Sequence, residues 1–270
     1  MKFTTRILIL IFVLMIAGLL SSNMILKKQY DAIDKSDIYW TYNKVLEQPF
    51  KYLNITGGNE TNIFYEPSTK PSVRLLQGWV KYHDGAVKAI VRNDTLFLNF
   101  DYKPANAYEK YWLQNAAPVR IFSPQLLSVT GNNTHFEMDK LKQKIVNVSM
   151  RGKSVFEIET MYREMDSINI YQSDSSAVKF EISPDIQNKS SDDNQSPPMA
   201  VHLNQGGVFA SSPPAEQKSF NESMSIRSVT AIIKDHSILD IGYAQIQNLK
   251  LQITDSSAVV LSGNALQKIK

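Results

Sequence analysis

Two stretches of the chain are nearly the same, "INIYQSDSSAVKFEI" (Ile168 to Ile182) and "LKLQITDSSAVVLSG" (Leu249 to Gly263). Apolar residues alternate on both sides of a polar "DSS" corner in each. Aligning Asp174 with Asp255 places Ile168 on Leu249, Ile170 on Leu251, Val178 on Val259 and Phe180 on Leu261. A third copy, "VTAIIKDHSILDIG", fits the same frame with Asp235 at the Asp position and Ser237 at that of Ser176. Weaker copies begin near Leu126 and Ile145, so equivalent strand starts fall at Val129, Val148, Ile168, Val229 and Leu249, with gaps of 19, 20, 61 and 20. A unit of about 20 residues made of strand, corner and strand cannot bury its own apolar face and must stack on its neighbours. Stacked units of this kind predict an all-β, parallel β-helix-like solenoid in which each rung adds ~4.8 Å. Ile170, Val178, Leu239, Leu251, Val259 and Leu261 are expected to face one shared core.

Asp and Ser suit corners because their side chains bond the nearby backbone. Asp174, Ser175, Ser176, Asp235 and Asp255 are therefore read as turn formers, with a catalytic or metal cluster as the competing reading. The long gap coincides with a segment that holds five of the 11 prolines, between Pro184 and Pro214. An irregular Pro/Ser-rich insertion at 184–225 is expected there, and "MAVHLNQGGVFA" is its one stretch able to form a rung or flap.

At the N-terminus, "ILILIFVLMIAGLL" is an unbroken apolar run of 14 residues, and the uncharged stretch from Ile7 to Leu26 reaches 20. That length spans a ~30 Å hydrocarbon core as a helix. No A-x-A arrangement precedes Lys27, which favours a retained signal anchor or transmembrane helix (1–26) over a cleaved signal peptide. The segment 27–48 reads as a charged, aromatic, partly helical stalk. Cysteine is absent, which removes disulfides, thiolate metal sites and lipid attachment at Cys, and suits a bacterial envelope. N-x-S/T triplets in this Asn- and Ser-rich chain read as turns without glycans. Lys and Arg (29) nearly balance Asp and Glu (26), so the body lacks the basic footprint of a nucleic-acid binder.

From Phe50 the texture changes to short alternating runs, ending in "VKAIVRNDTLFLNF", a hairpin turning at Asn93 and Asp94. The insert "DYKPANAYEKYW" follows. Its Tyr102, Tyr108, Tyr111 and Trp112 are the candidate ligand-binding residues, since aromatic faces flanked by polar groups stack on sugar rings. Covering the open end of the solenoid is their other use. His83, His135, His202 and His236 lie far apart, without metal-ligand spacing. No nucleophile elbow, dinucleotide fingerprint or P-loop occurs, so no catalytic residue, metal or cofactor is assigned.

The order "FKYLNITGGNETNIFYEPSTKPSVRLLQG", "VRNDTLFLNF", "PVRIFSPQLLSVTGNN" and then Ser-rich β repeats resembles the GIN-domain family, described as candidate autotransporter adhesin heads and frequent in the Bacteroidetes. The resemblance covers Phe50 to the C-terminus and is one of layout. It implies an exported, right-handed parallel β-helix-like domain over 49–270 with no established activity. The expectation is a non-enzymatic protein of the bacterial cell envelope, anchored in a membrane by its N-terminal helix with the body on the periplasmic or extracellular side. Its β-helix would act as an adhesion or interaction surface for glycans or envelope proteins, and not for nucleic acid. A carbohydrate-active β-helix enzyme (polysaccharide lyase or hydrolase) and an envelope sensor are the alternatives.

Overall fold

The computed structural model of the chain describes residues 3–34, 36–139, 141, 143–159, 164–181, 225–242, 244–254 and 256–261. Helix α1 (Phe3–Asp31) contains a window of mean hydropathy 2.5, none of it buried, and is long and apolar enough to cross a membrane. It runs past Leu26 into the segment expected as a stalk. Local turns follow, in which Asp34 Oδ1 accepts from Ser36 N (3.0 Å) and Oγ (2.6 Å). Those bonds hold the Asp34 carboxyl below its usual range. The segment ends in strand β1 (Tyr42–Leu46). The chain divides into two units, Met1–Asn43 and Lys44–Lys270.

The second unit opens within β1 and continues with β2 (Tyr52–Thr56), β3 (Asn62–Pro67), β4 (Ser72–Leu76), the short α2 (Gln77–Val80), β5 (Val87–Arg92), β6 (Thr95–Phe100) and α3 (Ala107–Asn115). It continues with β7 (Val119–Ser123), β8 (Ser128–Asn132), β9 (His135–Met138), β10 (Ile145–Arg151), β11 (Val155–Glu159), β12 (Glu164–Gln172) and β13 (Ala177–Glu181). The last strands are β14 (Ser225–Ile233), β15 (Ile238–Asp240), β16 (Gln245–Ile253) and β17 (Ala258–Val260). Two large open sheets result. One has nine strands in the order β1-β4-β7-β3-β9-β11-β13-β15-β17, the other eight in the order β16-β14-β12-β10-β8-β2-β6-β5. From β8 onward successive strands alternate between the sheets and pair in parallel with the strand two ahead. The β5–β6 hairpin is antiparallel as expected, with Asn93 and Asp94 at φ 49° and 57°.

Alternation decides which side chains enter the core. In β10, Val146, Val148 and Met150 are buried while Ile145, Asn147 and Arg151 are exposed. Their partners in both sheets join one apolar cluster, in which Phe136 stacks on Phe156 at 5.8 Å. The frame read from the repeats holds from Ile168 to Val229 to Leu249 and from Val178 to Leu239 to Val259. It slips at one place. Val148, which pairs with Val129, faces Ile170 and not Ile168. A shift of two residues keeps every side chain on its face, so apolar pattern alone cannot distinguish the two registers. Ile170, Val178 and Leu239 are buried as expected, whereas Leu251 is 38% exposed because the described part of the eight-stranded sheet ends at its strand.

The corners explain the repeated "DSS". Asp174 and Ser175 sit at φ 60° and 70°, and Asp235 and His236 at 56° and 63°, consecutive left-handed residues that reverse the chain between sheets. Asp255 lies outside the described residues. Behind four of the corners a hydroxyl residue is buried, Thr134, Ser154, Ser176 and Ser237. Ser154 Oγ accepts from Thr134 N at 3.2 Å, and Ser176 Oγ donates to Met150 O at 3.1 Å. The Ser154 and Ser176 hydroxyls thus match backbone groups that strand pairing leaves free, whereas Thr134 Oγ1 is buried without a partner. The insertion 184–225 lies outside the described residues apart from Ser225. The described strands on either side of it pair directly, β12 with β14 and β13 with β15.

Candidate functional site

The aromatic insert forms α3, which begins at Asn106. The Asn106 side chain accepts from Glu109 N at 2.9 Å, the usual way to satisfy a first-turn donor. Helix α3 lies over the Gly57–Thr61 corner. Thr61 Oγ1 donates to Leu113 O (3.4 Å) and Lys110 Nζ pairs with Glu60 (2.9 Å). Buried Trp79, Ala86 and Leu113 form a second apolar cluster beneath it, flanked by Tyr102 and Trp112.

The four expected ligand residues are therefore divided. Tyr102 turns inward, where its ring meets Trp79 (5.7 Å) and His83 (4.6 Å) and its hydroxyl donates to Glu109. Tyr108, Tyr111 and Trp112 line a shallow dent on α3 with Asn115 and Ala116. Tyr108 is 78% and Tyr111 67% exposed.

Three groups converge on Glu109. Besides Tyr102, His83 Nε2 lies 3.1 Å from Oε1 and Ala105 N donates to Oε2 at 2.7 Å. Led by the Tyr102 hydrogen bond, these contacts hold the Glu109 carboxyl below its usual range. Burial, reinforced by the neighbouring carboxylate, pushes the Tyr102 hydroxyl up to about 12. His83 Nδ1 faces Trp79 O at 3.0 Å and its ring stacks on Trp79 at 5.5 Å. Neither His83 nor Glu109 was singled out from sequence as part of a site. "NAYE" (Asn106 to Glu109), with its capping spacing, was the available signal for the helix.

Beside this cluster lies a cavity of about 550 Å³, walled by the corner Gly57–Thr61, by Trp79 and Leu113, and by Phe100 to Pro104. Gly57 and Gly58 have φ of 82° and 83°, and a Cβ on Gly57 would stand 2.6 Å from Phe100 O. Both the reversal and the close approach require glycine.

Both sheets carry polar and charged side chains on their outer faces, Arg151 beside Tyr171 and Arg227 paired with Asp166 (3.2 Å) on the eight-stranded one. On the eight-stranded sheet Tyr52, Ser128, Asn147, Asn169 and Thr230, all uncharged, stand in register on five adjacent strands, and the row continues to the exposed Lys250 on β16. Asn169 Nδ2 donates to Asn147 Oδ1 (2.9 Å) and Asn147 Nδ2 to Leu127 O (2.9 Å). The nine-stranded sheet carries charge, with Glu157 between His135 (3.1 Å) and Lys179 (2.7 Å). Burial opposes ionisation of Glu157, but these two partners outweigh it and hold the carboxyl at about 2. Among the described residues no cluster of His, Asp and Glu has the geometry of a metal site.

No family model matches the chain, and no curated protein matches it. Among solved structures it is similar to a "putative adhesin" of Bacteroides fragilis NCTC 9343, at 13% identity and TM-score 0.40, covering 81% of this chain and 94% of that one. It is also similar to a "putative lipid binding protein" of Parabacteroides distasonis ATCC 8503 (10% identity, TM-score 0.29, covering 83% and 94%). A "putative adhesin" of Parabacteroides merdae ATCC 43184 matches at 12% identity and TM-score 0.25, covering 82% and 95%. Likeness at these scores carries no argument about activity.

Proposed function

We propose that the chain is a non-enzymatic envelope protein, anchored by α1, whose body is a right-handed parallel β-helix-like solenoid presenting an interaction surface to neutral glycan chains. The body would lie on the periplasmic or extracellular side, with 1–26 as anchor, 27–48 as stalk and 49–270 as a GIN-like domain. The observation that carries the reading is the uncharged row Tyr52, Ser128, Asn147, Asn169 and Thr230 across five strands. Such a row offers donors and acceptors at the ~4.8 Å strand spacing without fixed charge, and Tyr52 adds an exposed ring. Tyr108, Tyr111 and Trp112 on α3 form a second aromatic platform suited to sugar rings.

Vesicles carrying the full-length protein test this by co-sedimentation with insoluble cellulose, chitin and mannan. Retention on at least one polymer, reduced in the double variant Asn147→Asp, Asn169→Asp, is the expected result. Retention on none, or retention unaffected by the added charge, contradicts the reading.

A further inference from the structure

We infer that the turns directly after α1, between Tyr30 and Tyr42, form a collar in the lipid headgroup layer, with Ile38 and Trp40 seated at the boundary of the hydrocarbon that α1 enters. The inference rests on the anchor reading above and gives the first part of the proposed stalk a partner of its own, the bilayer surface.

Position is the first support. The uncharged run of α1 ends at Leu26, and the helix continues through Lys27 and Lys28 to Asp31. From Lys27 to Asp31 it advances about 7 Å, close to the depth of one headgroup layer. The turns that follow therefore start at the rim of that layer, and they share one compact unit, Met1–Asn43, with the helix.

The path of the backbone keeps them there. Ile33 N donates to Tyr30 O (3.3 Å), Asp37 N to Asp34 O (3.2 Å), Trp40 N to Asp37 O (3.0 Å) and Tyr42 N to Tyr39 O (2.9 Å). Each bond draws its two ends within about 7 Å of each other, where an extended chain would cover about 10 Å. Side chains secure two of these turns, since Asp34 Oδ1 accepts from Ser36 N (3.0 Å) and Asp37 Oδ1 from Tyr39 N (2.9 Å). A chain coiled in this way gains little distance from the membrane.

What the turns present selects the partner. Ile38 is 79% and Trp40 49% exposed, and Tyr30 is exposed as well. Single apolar residues are ordinary on a protein surface, but these two lie two positions apart directly downstream of the apolar helix. Tyr39 and Tyr42 pack edge to face beside them at 5.9 Å. Tryptophan and tyrosine favour the membrane boundary, where the ring leaves water while the N–H or O–H stays wet. Lys27, Lys28 and Lys35 balance Asp31, Asp34 and Asp37, so the attraction is to the apolar boundary and not to anionic lipid.

The test places full-length protein in phosphatidylcholine vesicles and isolates the Trp40 emission as the difference between wild type and Trp40→Phe, because Trp79 and Trp112 emit in both. That difference should be lost when the lipid is brominated near the top of its acyl chains and retained when iodide is added to the water. The chain has no cysteine, so Ile38→Cys carries a single nitroxide, which should collide more with lipid-soluble oxygen than with a water-soluble nickel chelate. Quenching of Trp40 by iodide and not by brominated lipid overturns the collar. Shielding from both quenchers would mean that protein covers Trp40, and it overturns lipid as the occupant. Each vesicle sample is also washed at alkaline pH. Protein that stays after the wash but shows Trp40 and the Ile38 label in water removes the collar and leaves the anchor intact, whereas protein that washes out removes the anchor and the collar with it.

Discussion

The hydroxyl oxygens of Ser176 and Ser237 lie 3.4 Å apart although 61 residues separate them in the chain. Both side chains are buried, and Ser175 N donates to Asp235 O at 2.8 Å beside them. The strands before and after the Pro/Ser-rich insertion therefore pair as immediate neighbours, β12 with β14 and β13 with β15.

Replacing residues 182–224 by a short link should accordingly preserve the fold. The return from β15 to β16 takes only four residues, Ile241 to Ala244, and a link of about that length closes at lower entropic cost than the native segment. Thermal unfolding followed by circular dichroism should remain cooperative, with its midpoint unchanged or raised. A non-cooperative transition would mean that the insertion supplies part of the stack.

Leu239 on β15 and Leu251 on β16, both expected to face the core, lie in different sheets and different surroundings. Leu239 is fully buried, so Leu239→Ala should cost about 2–5 kcal/mol in urea unfolding. Leu251, at the end of the described sheet, should lose less than about 1 kcal/mol on the same change, because it buries less surface. Equal losses would contradict the placement of β16 at the end of the described eight-stranded sheet.

Glu157 makes stability depend on acid. Its folded pKa of about 2 lies below the 4.5 of an ordinary glutamate, so its contribution is fully present above about pH 4.5 and disappears as pH falls toward 2. The shift corresponds to about 3 kcal/mol, of which partial exposure of Lys179 leaves less. Urea midpoints measured between pH 6 and 3 should fall in the wild type and fall less steeply in Glu157→Gln. Parallel curves would remove Glu157 as the cause.

The membrane assignment rests on α1, which buries none of its apolar window. The full-length protein should resist alkaline extraction from membranes, and its mature N-terminus should precede Ile7. A mature N-terminus beyond Ser22 by mass spectrometry would show cleavage.

Sequence alone carried the architecture further than the site. Period-2 alternation and the recurring "DSSAV" exposed the strands and corners, because a two-sheet body forces apolar residues inward at every second position. The slip at Val148 leaves no mark in the apolar pattern, because a shift of two residues keeps every side chain on its face. The cluster around Glu109 was not legible, since Trp79, His83, Tyr102 and Glu109 are brought together only by the packing of α2, the strap and α3. Tyr102 was named for its ring. Its role as a donor to Glu109 emerges only from the fold.

The claim that this body binds without transforming its ligand is tested most directly by product analysis on bound polysaccharide. Full-length protein in vesicles is incubated with cellulose, chitin and mannan, and bound protein, new reducing ends and unsaturated sugars are measured together. Asp174→Asn is run alongside, because Asn adopts the φ of 60° as readily and removes only the charge. The account predicts retention without new ends, equal in wild type and variant. Reducing ends or unsaturated products formed by the wild type and absent from Asp174→Asn would contradict it and make the corner carboxylate catalytic.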